Sequence, residues 1–403
     1  MDYPVKEINY GKDVEKRYRT AFGTAYPYAA SFPPEIPAIA IKAFTKEGDV
    51  VLEPFSGRGT TALEALLLDR KVVANDLSKV AFTYTHSRTN APNLRDVFEK
   101  IRELETTIKE NPADPKEWPV LAIMYHKDTL KEILTIRREL MYKYDAVSMF
   151  IKAMTMSILH GKKVLSIDMP RHIPLNLTSL ARKIKRTGEL PPYRPTIEIL
   201  EKTINDKTKS GYPYPKKGIA LNYDARKLGE AIEKESIDFV VTSPPYIDLM
   251  RYGEKTWIQQ WFIGSSYVEY DEKTTEEIGS TSGNEEIYFK TMREICQVIY
   301  DLLKPDAYAV FIVGSSKKDE DILRIPKLFA KNMEKVGFKI DAIYARKFDS
   351  QFRRTLDKDK RDDEGIQYTD GWIVAKKGDP EKRTLEDGLI DAEDTISLEE
   401  AIV

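Results

Sequence analysis

The residues of this chain best placed for chemistry stand where short apolar runs end. The run Ile237-Asp238-Phe239-Val240-Val241 is β-branched and aromatic, as a buried parallel strand is. It passes into Thr242-Ser243-Pro244-Pro245-Tyr246. Two consecutive prolines end the strand, because neither donates to a ladder and each fixes its own φ. The product is a stiff, extended exit with a hydroxyl before it and an aromatic ring after it. In open α/β sheets, ligands bind at such carboxyl ends of strands.

Three further runs end in acids. Val50-Val51-Leu52 leads into Glu53-Pro54-Phe55-Ser56-Gly57-Arg58-Gly59-Thr60-Thr61, a strand, a glycine turn and a helix start. Glycines there let the backbone turn sharply and a ligand come within van der Waals range. A phosphate-binding loop would need Gly-Lys-Ser/Thr, and the dinucleotide fingerprint a third glycine, which disfavours a dehydrogenase. The run from Lys71 ends in Asp76, 19 residues after Gly57, where a carboxylate can accept both hydrogen bonds of a ribose diol. A third run, Gly218 to Tyr223, ends in Asp224.

Ser243-Pro244-Pro245-Tyr246, taken with the Glu53 to Thr61 loop, resembles the S-adenosylmethionine-dependent amino-methyltransferases of DNA, which methylate cytosine N4 or adenine N6. The loop departs from the usual pattern in Glu53 for Asp and in Arg58 between the glycines. The resemblance covers residues 31–80 and 218–376. It implies an α/β fold of the Rossmann-like class I methyltransferase kind, with a mostly parallel sheet, an antiparallel last strand and a helical insert.

It also implies roles. Ser243 Oγ and the Pro244 carbonyl would accept the two N–H bonds of the target amine, Pro245 would help hold that carbonyl rigid, and Tyr246 would stack on a base flipped out of the duplex. S-adenosyl-L-methionine would lie against Phe32, Pro33, Glu53, Pro54, Phe55, Ser56, Gly57, Gly59, Thr60 and Thr61. Asp76 would hold its ribose and Asp224 its adenine amino group. Ser at 243 leans toward cytosine N4. The alternatives are adenine N6, an RNA amino-methyltransferase, and a non-catalytic nucleic-acid-binding subunit of the same fold. The catalytic motif follows the cofactor motif here, the reverse of the common order for Ser-Pro-Pro-Tyr enzymes.

The remaining elements must position these groups. Residues 1–80 read as the N-terminal part of the core, although 1–30 show no firm element beyond scattered aromatics such as Tyr18, Phe22, Tyr26 and Tyr28. Residues 81–217 read as a mainly helical insert for DNA target recognition, with helices near 96–109, 130–144 and 146–159. Its later part, 161–217, carries 13 Lys/Arg against 5 Asp/Glu. Lys162, Lys163, Arg171, Arg182, Lys183, Lys185, Arg186 and Arg194 are the expected phosphate contacts. Residues 218–378 read as the C-terminal part of the core: a short helix over 225–235, Trp257 and Trp261 on an amphipathic helix, a polar loop over 264–283, helices at 288–303 and 325–336, and strands at 307–313, 338–346 and 371–376. The tail, 379–403, carries 9 Asp/Glu against 2 Lys/Arg and reads as poorly ordered.

Composition bounds the rest. The 403 residues are 41% hydrophobic and 32% charged, with a net charge of −2, so basic residues count by position rather than by sum. No apolar run is long enough for a membrane span and no signal peptide opens the chain, so a cytoplasmic protein is expected. Cys296 is the only cysteine, which excludes an internal disulfide and a multi-cysteine zinc site; no metal is expected. It follows Ile295 rather than a proline, which argues against cytosine C5 chemistry. His160 reads as a helix-end residue. Double-stranded DNA is the expected partner, and a cognate restriction endonuclease is the ordinary companion of such an enzyme.

Overall fold

A computed structural model describes residues 3–8, 18–28, 31, 33–168, 177–247, 252–278, 284–314, 323–347, 369–379 and 383–394. Its strands are β1 (Val5–Glu7), β2 (Val50–Glu53), β3 (Lys71–Asn75), β4 (Ile219–Leu221), β5 (Ile237–Thr242), β6 (Leu303–Gly314), β7 (Lys339–Lys347) and β8 (Thr369–Lys376). They form one sheet in the order β1-β7-β8-β6-β5-β2-β3-β4. Every pairing is parallel except those of β8, which runs antiparallel to both β6 and β7. This is the class I methyltransferase sheet that the resemblance implies, with β1 added at one edge.

The N-terminal helices are α1 (Glu35–Phe44), α2 (Thr60–Leu67), α3 (Lys79–Thr89), α4 (Leu94–Glu110), α5 (Lys127–Leu140) and α6 (Ala146–Ile158). They are followed by α7 (Leu177–Thr187), α8 (Thr196–Lys207), α9 (Tyr252–Lys255), α10 (Trp257–Phe262) and α11 (Tyr267–Glu276). The last three are α12 (Glu285–Leu302), α13 (Arg324–Glu334) and α14 (Leu385–Asp394).

The central strands are apolar throughout because helices cover both faces of the sheet. Val51, Phe239 and Val241 pack on one face with α1 and α2. Leu52 and Val240, one residue out of phase, pack on the other with α12 and α13. A third apolar cluster lies among α4, α5, α6 and α8 and takes in Phe22, Tyr26, Tyr84, Ile258 and Phe262. In α4 the buried side chains are Val97, Ile101 and Leu104, a stripe at helical spacing on an otherwise charged helix. Trp261 packs on this cluster, and Arg137 lies over both its ring and that of Trp118, at 5.1 and 5.5 Å.

Strand β2 lies between β3 and β5, so the chain leaves β2 to one side and later returns on the other. The crevice of an open α/β sheet forms at such a reversal.

Four stretches differ from the sequence reading. Val5–Glu7 forms an edge strand beside β7, secured by the Tyr3 hydroxyl donating to Glu334 at 2.7 Å; three residues are too few to show a period. The expected polar loop over 264–283 contains helix α11, capped by Ser266, whose hydroxyl accepts from Glu269 N–H at 3.3 Å. Its polarity is that of an exposed helix. The helix expected over 225–235 is a 3₁₀ segment, Ala225–Glu230. Within the acidic tail, α14 docks on α1, with Leu385 fully buried and Gly388 against the Ile39 carbonyl, where a side chain would not fit.

Candidate active site

A cavity opens at the carboxyl ends of β2, β3, β4 and β5. Its wall includes Pro54 to Arg58, Thr60, Asp76, Asp224 and Ser243 to Tyr246, so one space brings together stretches separated by up to about 190 residues. Each stretch is held by a nameable contact.

After β2, the loop turns on two residues with positive φ, Gly57 (53°) and Gly59 (76°). Gly59 N–H donates to the Ser56 carbonyl at 2.7 Å, and the Ser56 and Thr85 hydroxyls lie 2.9 Å apart. Thr85 and Arg88 of α3 back directly onto Gly59. Asp76, just past β3, accepts from Gly57 N–H at 2.8 Å and from Ser78 N–H at 2.9 Å. Its carboxyl is both on the cavity wall and bonded to the glycine loop. Burial pushes it up to about 6 against the opposing pull of those two amides.

Glu53 is not on the wall. Its buried carboxyl accepts from Phe55 N–H at 3.2 Å and from the Thr61 hydroxyl at 2.6 Å, and it bonds the Thr242 hydroxyl. It therefore ties the loop, the start of α2 and the end of β5 together, and so sets Ser243 beside the loop. Thr61 and Gly59 also lie behind the wall, whereas Thr60 is on it. Burial pushes Glu53 up to about 8. Glu64 of α2 is likewise pushed up to about 8 by burial.

An acid that is protonated when folded and ionised when unfolded loses stability as pH rises from its ordinary value toward the raised one. Glu53, Glu64 and Asp76 all act in that direction, so the protein should melt lower at pH 8 than at pH 5. Glu53→Gln cannot ionise and should reduce this drop by a few degrees, on the order expected for one such group. Thermal melting of both proteins across pH 5–8 checks this. Parallel curves would mean that Glu53 is ionised in the fold.

Asp224 lies three residues past β4, on the wall, but its carboxylate is engaged. Arg226 donates to it at 3.0 and 2.6 Å and Lys273 approaches to 3.8 Å. Arg226 also pairs with Glu277 at 2.6 Å. The network clamps α11 over the cavity, where Tyr270 and Thr274 join the wall. The Arg226 bonds and charge hold Asp224 below the usual carboxylate range although its burial opposes this.

Past β5, Ser243 Oγ makes no hydrogen bond to any described residue, and no described backbone donor reaches the Pro244 carbonyl. Pro244, Pro245 and Tyr246 line the wall. The ring of Tyr246 lies over Gly314 at the end of β6, where a Cβ would come within 2.9 Å of it. Gly314 is what leaves room for that ring.

Pro33 is not on the wall; it lies just before α1, where its carbonyl accepts from Ile36 N–H, while Ser31, two residues earlier, is on the wall and Phe32 lies outside the described residues. The reading of the sequence missed Tyr28, Ser31, Arg58, Asn75, Leu77, Ala225, Tyr270, Thr274, Ile278, Thr291 and Ile295 on the wall. Arg58 stood inside the quoted loop and could have been named. Asn75 and Leu77 flank Asp76, and Ala225 follows Asp224, so these three adjoin residues already named; the rest reach the wall through long-range packing and carry no local signal.

The basic residues of the helical layer divide. Arg182, Lys185 and Arg186 are exposed on α7, as are Lys162 and Lys163 on the preceding loop. Lys183 pairs with Glu189 at 3.0 Å. Arg194 is mostly buried and donates to the Val164 carbonyl at 2.8 Å and Asp168 at 2.7 Å, bonds that hold its loop. Arg171 lies outside the described residues.

Fold and cavity together define a class I methyltransferase architecture with its ligand crevice at the topological switch. The family model described as DNA methylase matches residues 5–86, which hold the glycine loop and Asp76. The chain is 40% identical over 55 residues to the orphan methyltransferase M.BamHII of Bacillus amyloliquefaciens, covering 14% of this chain and 21% of that protein. It is 46% identical over 50 residues to the type II methyltransferase M.MjaI of Methanocaldococcus jannaschii, covering 12% and 16%. The resemblance to DNA amino-methyltransferases thus holds in that segment, while the match spans only about a fifth of the relatives' length. A crystal structure of a SAM-dependent methyltransferase from Methanosarcina mazei covers 84% of this chain and 96% of its own at 10% identity, with a TM-score of 0.33. An rRNA methylase from Streptococcus thermophilus covers 87% and 100% at 9% identity and 0.32. Superposition at that level adds nothing to the topology already described. Among the described residues no helix is long and apolar enough to cross a membrane, and no group of three metal-ligating side chains occurs.

Proposed function

We propose that this chain is an S-adenosylmethionine-dependent methyltransferase that modifies the exocyclic amino group of a base flipped out of double-stranded DNA, cytosine N4 in preference to adenine N6. The observation that carries the reading is the pair of acceptors at Ser243 Oγ and Pro244 O. They share a cavity with Asp76 and the glycine loop, and no described residue satisfies them.

An amino nitrogen on a base is a poor nucleophile because its lone pair is delocalised into the ring. Two acceptors that take its N–H bonds turn the lone pair out of the plane. The proline backbone holds the Pro244 acceptor still, so little reorganises in the transition state. Tyr246 offers the stacking face for a flipped base. When bound, S-adenosylmethionine would supply an electrophilic methyl on a sulfonium, its sulfur leaving with the electron pair of the S–C bond as the amine held by Ser243 Oγ and Pro244 O formed the N–C bond. The cationic amine then loses a proton to water, which asks for no dedicated base. The residues present fit that cofactor, with Asp76 as acceptor for the ribose hydroxyls and Asp224 near the base end. The serine at 243 is the reason to favour cytosine.

DNA would reach the site past the helical layer, with Arg182, Lys183, Lys185 and Arg186 of α7 on its phosphates and a companion endonuclease sharing the target sequence. Neutralising those four together should flatten the salt dependence of DNA binding by about 3.6 units of log–log slope. An unchanged slope would place the phosphates elsewhere.

The test of function is methyl transfer from labelled S-adenosylmethionine to unmethylated genomic DNA, with product nucleosides identified by mass spectrometry. N4-methylcytosine supports the full reading. N6-methyladenine keeps the mechanism and changes the base. Label in transfer RNA and none in DNA overturns the substrate.

A further inference from the structure

The helices α9, α10 and α11 form one braced arm over residues 252–278. The Asp271 carboxylate of α11 accepts from the Gly253 and Glu254 N–H groups of α9, both at 2.8 Å. Gly253 lies so close to the Tyr267 carbonyl that a Cβ would come within 2.6 Å of it. The arm enters the helical layer at α10, where Ile258 and Phe262 are buried. It then turns and lays α11 on the cavity wall through Tyr270 and Thr274, with Ile278 just beyond.

The turn between α10 and α11 hangs on one carbonyl. Trp261 O accepts from Gly264 N–H at 3.1 Å and from Arg137 Nε at 3.1 Å. The Arg137 guanidinium lies over the Trp261 and Trp118 rings, which meet edge-on with centroids 5.4 Å apart. Leaving that carbonyl would cost it both ring faces as well. Met141, one residue past α5, fills the space beside Gly264, where a Cβ would lie 3.2 Å from its Sδ. Both contacts come from the helical layer, and neither Arg137 nor Met141 is on the cavity wall. The far end of α11 is tied to the core instead. There Glu277 pairs with Arg226 at 2.6 Å, and its carbonyl accepts from the Thr291 hydroxyl at 2.9 Å.

Resting on the cofactor reading above, we infer that Arg137 is a positioning residue for the cavity. From α5 it sets the direction in which α11 leaves α10, and so holds Tyr270 and Thr274 against the ligand. The arm is a bridge with one footing in the helical layer, at Arg137, and one in the core, at the Arg226–Glu277 pair. Either footing alone keeps the wall closed, and loss of both releases it. A lysine at 137 would keep a charge over the rings without the planar fork that also meets the carbonyl.

The experiment combines hydrogen exchange, read by mass spectrometry, with S-adenosylhomocysteine binding by calorimetry on the full chain. Arg137→Ala should speed exchange of the α11 amides by about tenfold and leave those of α4 within about twofold, which shows the layer still folded. Glu277→Gln, at an exposed side chain, should speed exchange in the last turn of α11. Each single variant should weaken S-adenosylhomocysteine by about threefold, and the double variant by about thirtyfold, beyond the product of the two. Arg137→Lys should fall between wild type and Arg137→Ala. Faster exchange in α5 and α10 with α11 unchanged would make Arg137 a packing residue and overturn the assignment. A double-variant loss equal to the product of the single losses would overturn the two footings. Wild-type protein that binds no S-adenosylhomocysteine would remove the cofactor reading, and exchange of α11 would still decide whether Arg137 holds the arm.

Discussion

Ser243→Ala is expected to slow single-turnover methyl transfer by about 10- to 1000-fold, the range seen when one transition-state hydrogen bond is removed. The side chain is half-buried at the cavity and makes no hydrogen bond within the described protein, so its loss leaves no stranded partner. Stability should therefore stay close to wild type, and binding of S-adenosylhomocysteine should be unaffected. The loss should appear in the chemical step, because the acceptor matters most as the nitrogen rehybridises. Rapid-quench measurement with saturating DNA and cofactor separates this from product release. A wild-type rate would remove Ser243 from the mechanism. An equal loss of cofactor affinity would make it part of the binding site instead.

Gly59→Ala should damage both stability and cofactor binding. At φ +76° an L-residue is strained by about 1–2 kcal/mol. The new Cβ would lie 3.0 Å from Thr85 Oγ1, 3.1 Å from the Thr85 Cα and 3.3 Å from Arg88 Cδ. Both neighbours belong to α3 and are buried, so they cannot step aside, and overpacking of this kind adds about 1–3 kcal/mol. Affinity for S-adenosylhomocysteine should fall by at least about tenfold as the loop is pushed toward the cavity. Gly57 is the control. It also has positive φ, but a Cβ there would meet the Tyr28 ring at an ordinary 3.5 Å. Thermal melting should therefore rank Gly59→Ala well below Gly57→Ala. Equal melting temperatures would show that α3 does not back the loop as described.

What could be read from the amino-acid sequence was local. Gly57 and Gly59 announce a turn because only glycine takes their φ without strain, and Pro244-Pro245 announce a strand end because proline cannot donate to a ladder. Strand ends in a βα repeat fall on one side of the sheet, so Asp76, Asp224 and Ser243 were bound to stand on one rim before any contact was known.

What a side chain does at that rim was decided by partners far along the chain, which leave no periodic signal. Glu53 turned inward because Thr61 and Thr242 meet it there, the latter 189 residues away, so a carboxyl that looked like a ligand became a strap. Arg194 looked like a phosphate contact and is bonded to Val164 and Asp168. The polar run after Ser266 became the helix whose Tyr270 and Thr274 close the wall, held through the Arg226 and Glu277 pair. Gly314 reveals its purpose only against the ring of Tyr246, and Tyr28 only against Gly57. Backbone preferences act between neighbours and so appear in the sequence. Whether a polar group faces a ligand or the protein depends on which distant partner satisfies it, and that is settled only when the chain has folded.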